Sequence, residues 1–363
     1  MKRAQNIVSK LASGDGRMES ALQLGLTIIL FIALLGLVST PALANGNGRH
    51  QNHPRACSKT ASAAFLACQN EKKDDYWIGQ GNCYNDTEGQ AECFADAKDE
   101  YKEAKAECGD QLEARKDLCD ELGEAPYDPE IDPEDFVTAF TESNKNPYFP
   151  LVPGTIWRYL TFDKDGNLLE RDTVEVTEET KAIEYPSDSG KIFTCAVVHD
   201  VVEEYDEDTG EFTITEDTLD WYAQKINGDV WYFGESSQTL EDGELVDIEG
   251  SWKAGVDFAK PGIIMYVDLS EEDIGKVYRQ EFALGDAEDW ARLESVDAAT
   301  PVIVPYAAAN CVEGSSHCRQ TVEGTPLEPD VIEYKYYKQD YGTVLEYNPD
   351  TGEQTALVDF ITP

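Results

Sequence analysis

Six cysteines constrain this chain more than any other feature. Cys57, Cys68, Cys83, Cys93, Cys108 and Cys119 nest as three pairs, 57 with 119, 68 with 108 and 83 with 93, and residue 88 is the midpoint of every pair. The sequence between them is rich in Ala, Glu and Lys, which predicts two helices over about 55–78 and 87–121. Steps of 11 residues advance about 20° beyond three turns and steps of 15 about 60° beyond four, so the thiols stay near one helix face. An antiparallel hairpin folded about residue 88 then sets all three pairs opposite one another. Six cysteines allow other connectivities, but Cys57 and Cys68 would stand about 16 Å apart along one helix, too far to bond. The expected ladder is Cys57 with Cys119, Cys68 with Cys108 and Cys83 with Cys93. A zinc site is the alternative, but its CxxC spacing is absent. The same positions also form three units of about 25 residues, too few for a solenoid. Two helices bury little apolar area, so the disulfides are the expected source of stability. Tyr76, Trp77 and Ile78 fall near the bend and are expected to pack near Phe94, with an exposed apolar tip as the alternative.

Disulfides persist in oxidising compartments, and the N-terminus supplies a route to one. Residues 1–20 are polar and basic, Ala21–Val38 is largely apolar, and Pro41 precedes Ala42, Leu43 and Ala44. This pattern predicts a secretory signal over residues 1–44, cleaved before Asn45. An uncleaved anchor is the alternative, since the run nearly spans a bilayer. No cysteine directly follows the run and no later apolar stretch is of spanning length. The protein is therefore expected to be exported, periplasmic or extracellular, with no lipid anchor and no membrane insertion after cleavage.

Charge narrows the partners. The 363 residues hold 29 basic and 72 acidic side chains, a net charge of -43, and removal of the signal makes it -45. Such a surface repels phosphate backbones and anionic headgroups, which argues against nucleic-acid partners and peripheral membrane binding. The 18 Tyr, 13 Phe and 6 Trp suit a chain with a packed core, not a disordered one.

Composition shifts after Leu122. Gly123, Pro126, Pro129 and Pro133 read as a Pro-rich linker over 123–152 with one short helix near 133–142, between a Cys-rich α-hairpin (45–122) and a β domain (153–363). Alternating runs predict strands at 155–162, 168–177, 191–204, 211–216, 218–226, 229–234, 276–282, 301–305, 317–323, 331–338 and 342–347. Hairpin turns at Asp165-Gly166, Thr209-Gly210, Asn227-Gly228, Asp242-Gly243 and Thr351-Gly352 imply an antiparallel meander. The expected class is α+β: a disulfide-stapled antiparallel α-hairpin, then a mainly antiparallel β domain curled into a barrel, half-barrel or sandwich.

The turn at Asn227-Gly228 is the sharpest local signal. A two-residue loop sets Gln224 opposite Trp231 and Tyr222 opposite Phe233, giving one face of Tyr222, Gln224, Trp231 and Phe233 and another of Trp221, Ala223, Tyr232 and Gly234. Neither face looks solvated. Core packing explains this, and a cavity for an apolar or ring-shaped ligand is the functional reading, with Trp221, Tyr222, Trp231, Tyr232 and Phe233 as candidate ligand residues.

Chemical motifs are sparse. His199 lies about 13 Å from Cys195 on the same strand face, too far for a thiolate–imidazolium pair. No HExxH, GxSxG, Walker or dinucleotide glycine pattern occurs. Asp163, Asp165 and Asn167 begin like a calcium loop, but Leu168 stands where the turn glycine belongs and Val174 where the bidentate Glu belongs. The segment is read as a hairpin turn, with weak Ca2+ binding by Asp163, Asp165 and Asn167 as the metal expectation and no other cofactor. Of the remaining cysteines, Cys311 with Cys318 would close a local loop and Cys195 with Cys318 would join two strands; one thiol is left over.

NPYFPLVPGT (146–155) with Trp157, DWYAQ (220–224) with VWYFGE (230–235), GSW (250–252) through KPGIIM (260–265), YRQE (278–281) and TPLEPD (325–330) resemble an uncharacterised family of exported bacterial proteins with a Cys-rich helical N-terminal segment. The opening YFPLVPGTIWRY also resembles the first strand of many exported bacterial sheet proteins, often lipoproteins. The resemblance implies no particular activity. In its pattern a cysteine stands eight residues before the proline of TPLEP, here Cys318, which implies Cys195 with Cys318 and leaves Cys311 as the extra thiol. The insertion 308–317 departs from the pattern.

The expected function is non-enzymatic: an exported protein that binds or scaffolds through an aromatic-lined curved sheet, with a small apolar or sugar-like ligand or a protein partner and the hairpin as spacer or docking arm. The alternative is a carboxylate-dependent hydrolase of extracellular polymers, with Trp221 and Trp231 as sugar-stacking platforms. A purely structural surface protein is the third reading.

Overall fold

A computed structural model describes residues 55–315 and 317–363. The expected signal over 1–44, and His50 and His53 after it, lie outside the described residues. No helix among the described residues is long and apolar enough to cross a membrane.

Two antiparallel helices, α1 (Ala56–Asn85) and α2 (Gln90–Leu122), form the stapled hairpin. Cys57–Cys119, Cys68–Cys108 and Cys83–Cys93 bridge them at Cα separations of 5.6, 5.9 and 5.5 Å. Asp86 caps the turn by accepting from the Glu88 and Gly89 N–H groups. Covalent staples are needed because α1 buries only Ala61, Ala64 and Cys83. The first helix continues beyond Ile78, since Gly79 fits against Ala97 of α2 instead of breaking the helix. Tyr76 accordingly stacks on Tyr101 at 4.9 Å, Phe94 meets Tyr84 at 5.0 Å, and Trp77 and Ile78 are exposed. The expected packing of that trio near Phe94 is thus corrected.

Fifteen strands follow: β1 (Ile156–Phe162), β2 (Leu168–Glu184), β3 (Ile192–Asp206), β4 (Glu211–Gln224), β5 (Val230–Glu241), β6 (Glu244–Asp247), β7 (Trp252–Lys253) and β8 (Lys260–Met265). The second half comprises β9 (Val277–Arg279), β10 (Glu281–Phe282), β11 (Trp290–Ser295), β12 (Cys318–Thr325), β13 (Glu328–Lys338), β14 (Gly342–Tyr347) and β15 (Gln354–Ile361). The pairing order is β10-β8-β5-β4-β3-β2-β1-β15-β14-β13-β12-β11-β9. Only Gln280 separates β9 from β10, so the two ends of that order belong to one interrupted strand and the sheet forms a nearly closed barrel. At the join the Gln280 and Glu281 N–H groups both point to the Asp289 carbonyl, at 2.9 and 3.4 Å, a bulge that turns the strand from β11 to β8.

Alternation divides the apolar residues between two clusters. On β3, Ala196 and Val198 join the inner cluster with Tyr159, Val176 and Leu357, while Phe193, Cys195 and Val197 join an outer one. The connector covers that outer cluster: Ile131 and Phe136 are buried in it, and Val137 donates to the Gln224 carbonyl. The helix expected near 133–142 shrinks to one 3-10 turn, Pro133–Asp135, because Phe136 is drawn onto the barrel wall. Segment 301–305, expected as a strand between Pro301 and Pro305, is loop.

Two register expectations are corrected. Lys225 pairs with Asp229 around a three-residue loop, so Ala223 faces Trp231 and Tyr222 faces Tyr232. One wall face therefore shows Tyr222 and Tyr232 and the other Trp221, Trp231 and Phe233. The implied Cys195–Cys318 bridge does not form. Cys311 bonds Cys318 at a Cα separation of 5.8 Å, and Cys195 is the free, buried thiol. β3 and β12 lie far apart in the barrel order, whereas Cys311 lies beside the first residue of β12.

Candidate functional site

Inward-facing side chains from most of the barrel strands enclose a cavity of about 210 Å³. Phe149, Trp157, Tyr159, Tyr222 and Tyr337 supply aromatic wall. Between them sit the carboxyls of Asp172, Asp200, Asp220, Glu323 and Glu346 and one cation, Lys335. Each acid occupies an inward strand position: Asp172 shares the face of Val174 and Val176, Asp200 that of Val198, and Asp220 that of Tyr222.

The carboxyls fall into two groups. Glu323 is anchored, accepting from Gln280 Nε2 (3.0 Å), Thr321 Oγ1 (2.6 Å) and the Tyr337 hydroxyl (2.8 Å). Lys335 approaches Glu346 at 3.3 Å and Glu323 and Glu333 at 3.8 Å each. Burial alone would push the Lys335 ammonium down, but Glu346, Glu323 and Glu333 more than reverse this and keep it charged. The second group has no cation. Burial, and then the neighbouring Asp200 charge, pushes Asp172 well above the usual carboxylate range; burial also raises Asp200. Each keeps an Oδ1 buried without a partner. Asp220 accepts from the Tyr232 hydroxyl at 2.5 Å, yet burial and the facing Glu235 still raise it. Glu235, directly opposite Asp220 across β4 and β5, is pushed up to about 7, chiefly by burial. These positions can present protonated carboxyls as donors, or carboxylates to an entering cation.

Of the residues singled out in the sequence, Tyr222 lines this cavity and Tyr232 stacks on it at 4.7 Å. Trp221, Trp231 and Phe233 face the other way, into the outer cluster, where the Lys181 ammonium lies 3.2 Å from the Trp221 ring centre. Asp163, Asp165 and Asn167 form the turn between β1 and β2; the Asp163 carboxylate accepts from the Asp165 and Asn167 N–H groups and from Asn167 Nδ2. Among the described residues, no group of three or more His, Cys, Asp or Glu is arranged to hold a metal ion. His199 pairs with Asp217 at 3.0 Å. Sequence reasoning missed Asp172, Asp200 and Asp220. Their signal is a lone acid sharing strand parity with apolar neighbours, which is hard to see among 72 acidic residues.

No known protein family matches the sequence, and no curated protein matches it either. Two solved structures are similar to part of the chain. One is a presumed exported protein with a YmcC-like fold from Bacteroides fragilis: TM-score 0.31, 13% identity, 59% of this chain and 99% of that one. The other is a presumed lipoprotein from Parabacteroides distasonis: TM-score 0.29, 12% identity, 60% of this chain and 99% of that one. Likeness at this level assigns neither a family nor a function.

Proposed function

We propose that this is an exported, non-enzymatic binding protein whose barrel interior takes a small ring-bearing ligand with a positive charge or several hydrogen-bond donors. Export is supported by the N-terminal signal pattern and by four disulfides, which belong to an oxidising compartment. The observation that carries the ligand chemistry is the Asp172–Asp200 pair, with two buried, unpartnered oxygens inside an aromatic-walled cavity. Buried acceptors left unpaired cost about 1–3 kcal/mol each, and a donor-bearing ligand recovers that. A volume of about 210 Å³ is room for about seven waters, so the ligand is small.

Calorimetry on the exported chain with tyramine, and with 4-hydroxyphenylacetate as the ring-matched anion, tests the reading. The amine is expected to bind and the anion not to; Asp172→Asn with Asp200→Asn should weaken the amine about tenfold or more. Equal binding of the two probes would sink it.

Glu235 favours a second reading. A carboxyl at about 7 suits a general acid in a carboxylate-dependent hydrolase, with Asp220 as its partner. However, burial and Glu235 raise Asp220 as well, whereas an acid–base pair needs its two carboxyls pushed apart. Polysaccharide hydrolysis that disappears in Glu235→Gln would restore this alternative.

A further inference from the structure

A second cavity, about 700 Å³, lies outside the barrel where the root of the helical arm meets β8–β10. Tyr127, Phe258, Ile263 and Phe282 give it apolar surface, and Arg279 of β9 borders it. Arg279 is only 9% exposed, yet its Nη1 has no hydrogen-bond partner. Its guanidinium rests 4.8 Å from the Phe282 ring centre and 5.8 Å from that of Tyr127. The nearest acid is already engaged: Glu288 accepts from Arg115 through Nε (3.0 and 3.1 Å) and Nη2 (2.7 Å), and from the Gly285 N–H. Lys260, also at the cavity, is held by Asp128 at 3.1 Å. Among the described residues no ion pair involves Arg279. The indole Nε1 of Trp231, another bordering residue 7% exposed, is likewise unpartnered.

A buried guanidinium without an anion is costly, and an unused donor in a fixed, aromatic-flanked position is what planar carboxylate recognition requires. The setting sharpens this. On a chain of net charge -43, a bare anion is repelled at long range, so the occupant needs apolar contact to add to a single charge. The cavity offers that contact. Phe258, 93% exposed, stands at its edge on a backbone where both Asp257 and Phe258 have positive φ, 47° and 66°. Holding two L-residues there is unfavourable, and the result is a phenyl ring displayed beside an apolar cleft.

We propose that this cleft binds a small amphipathic carboxylate, its head group on Arg279 and its apolar body along Tyr127, Phe282 and Phe258. The site is separate from the barrel interior and prefers the opposite charge.

Calorimetry on the full exported chain with decanoate, 1-decanol and decylamine tests it. Decanoate is expected to bind at least about tenfold tighter than either control. Arg279→Met should reduce decanoate to the level of decanol. Phe258→Ser, at a position exposed enough to leave folding intact, should weaken decanoate and decanol by a similar factor. Equal affinity for decanoate and decanol in the unaltered protein would overturn the proposal, as would full decanoate affinity in Phe258→Ser.

Discussion

Arg115 and Glu288 lock the helical arm to the barrel. The guanidinium reaches both carboxylate oxygens, at 2.7–3.1 Å, with the two side chains 5% and 2% exposed. Gln111 Nε2 adds a bond to the Leu327 carbonyl from one turn earlier on α2. A buried pair is strongly destabilised by loss of one partner, because the other charge remains without compensation. Arg115→Met is therefore expected to cost about 3–5 kcal/mol in urea unfolding, and Arg115→Met with Glu288→Met distinctly less. Additive losses would mean that the two residues do not act as a pair.

The buried carboxyls predict an unusual pH profile. Asp172, Asp200, Asp220 and Glu281 are all raised, each first by burial, and Glu235 moves from 4.5 to about 7. A carboxyl raised by folding contributes stability that is complete below its unfolded pKa and is lost as pH climbs through the folded value. For Glu235 the loss falls between about pH 4.5 and 7. Surface acids such as Asp163 and Asp206, lowered by hydrogen bonds, act in the opposite sense and lose their contribution as pH falls below the usual carboxylate range. Stability should thus peak near about pH 5 and decline toward pH 8, with Glu235→Gln removing on the order of 2 kcal/mol of that decline. Denaturant midpoints at pH 5 and 8 check this; a flat profile contradicts it.

The stapled hairpin was legible because helix geometry turns cysteine spacing into distance, and one symmetric nesting satisfies all three pairs. Strand parity was less secure. A single extra residue in the loop before Asp229 exchanged the faces of Trp231 and Tyr232, so that Tyr232 and not Trp231 backs the cavity-lining Tyr222. The site itself depends on Asp172, Asp200, Asp220, Glu323 and Glu346 arriving from five different strands, β2, β3, β4, β12 and β14. Local pattern carries no information about that closure. Cys195 illustrates the same limit, since its distance from Cys318 is set by barrel order and not by sequence spacing.

Thiol chemistry separates the two cysteine pairings. Cys195 is fully buried, and burial pushes its thiol up, so iodoacetamide should leave the native protein unlabelled. In denaturant without reductant, one label is expected, on Cys195, with Cys311 and Cys318 recovered in one linked peptide pair. A label on Cys311 would reinstate Cys195–Cys318. Complete reduction should melt the arm first, because the 62- and 40-residue separations closed by the outer bridges are each worth about 4 kcal/mol and the 10-residue one about 3. The expected reading is loss of far-ultraviolet helical signal while near-ultraviolet aromatic signal from the barrel persists.

Gly262 controls closure of the barrel. Gly262 lies within β8, where it pairs with Tyr232 of β5 while the interrupted strand passes over it. A Cβ built there would fall 2.3 Å from the Gln280 carbonyl carbon and 2.7 Å from the Arg279 oxygen, both backbone atoms that cannot swing aside. The glycine is therefore required by the approach of two backbones at the bulge between β9 and β10. Gly262→Ala is expected to cost about 3 kcal/mol or more and to act locally, separating β8 from β10 before the rest of the sheet. Amide exchange should then accelerate at Phe282 and along 260–265 while β2 and β3 remain protected. Uniform acceleration across the sheet would show that closure and the remaining barrel fold as one cooperative unit.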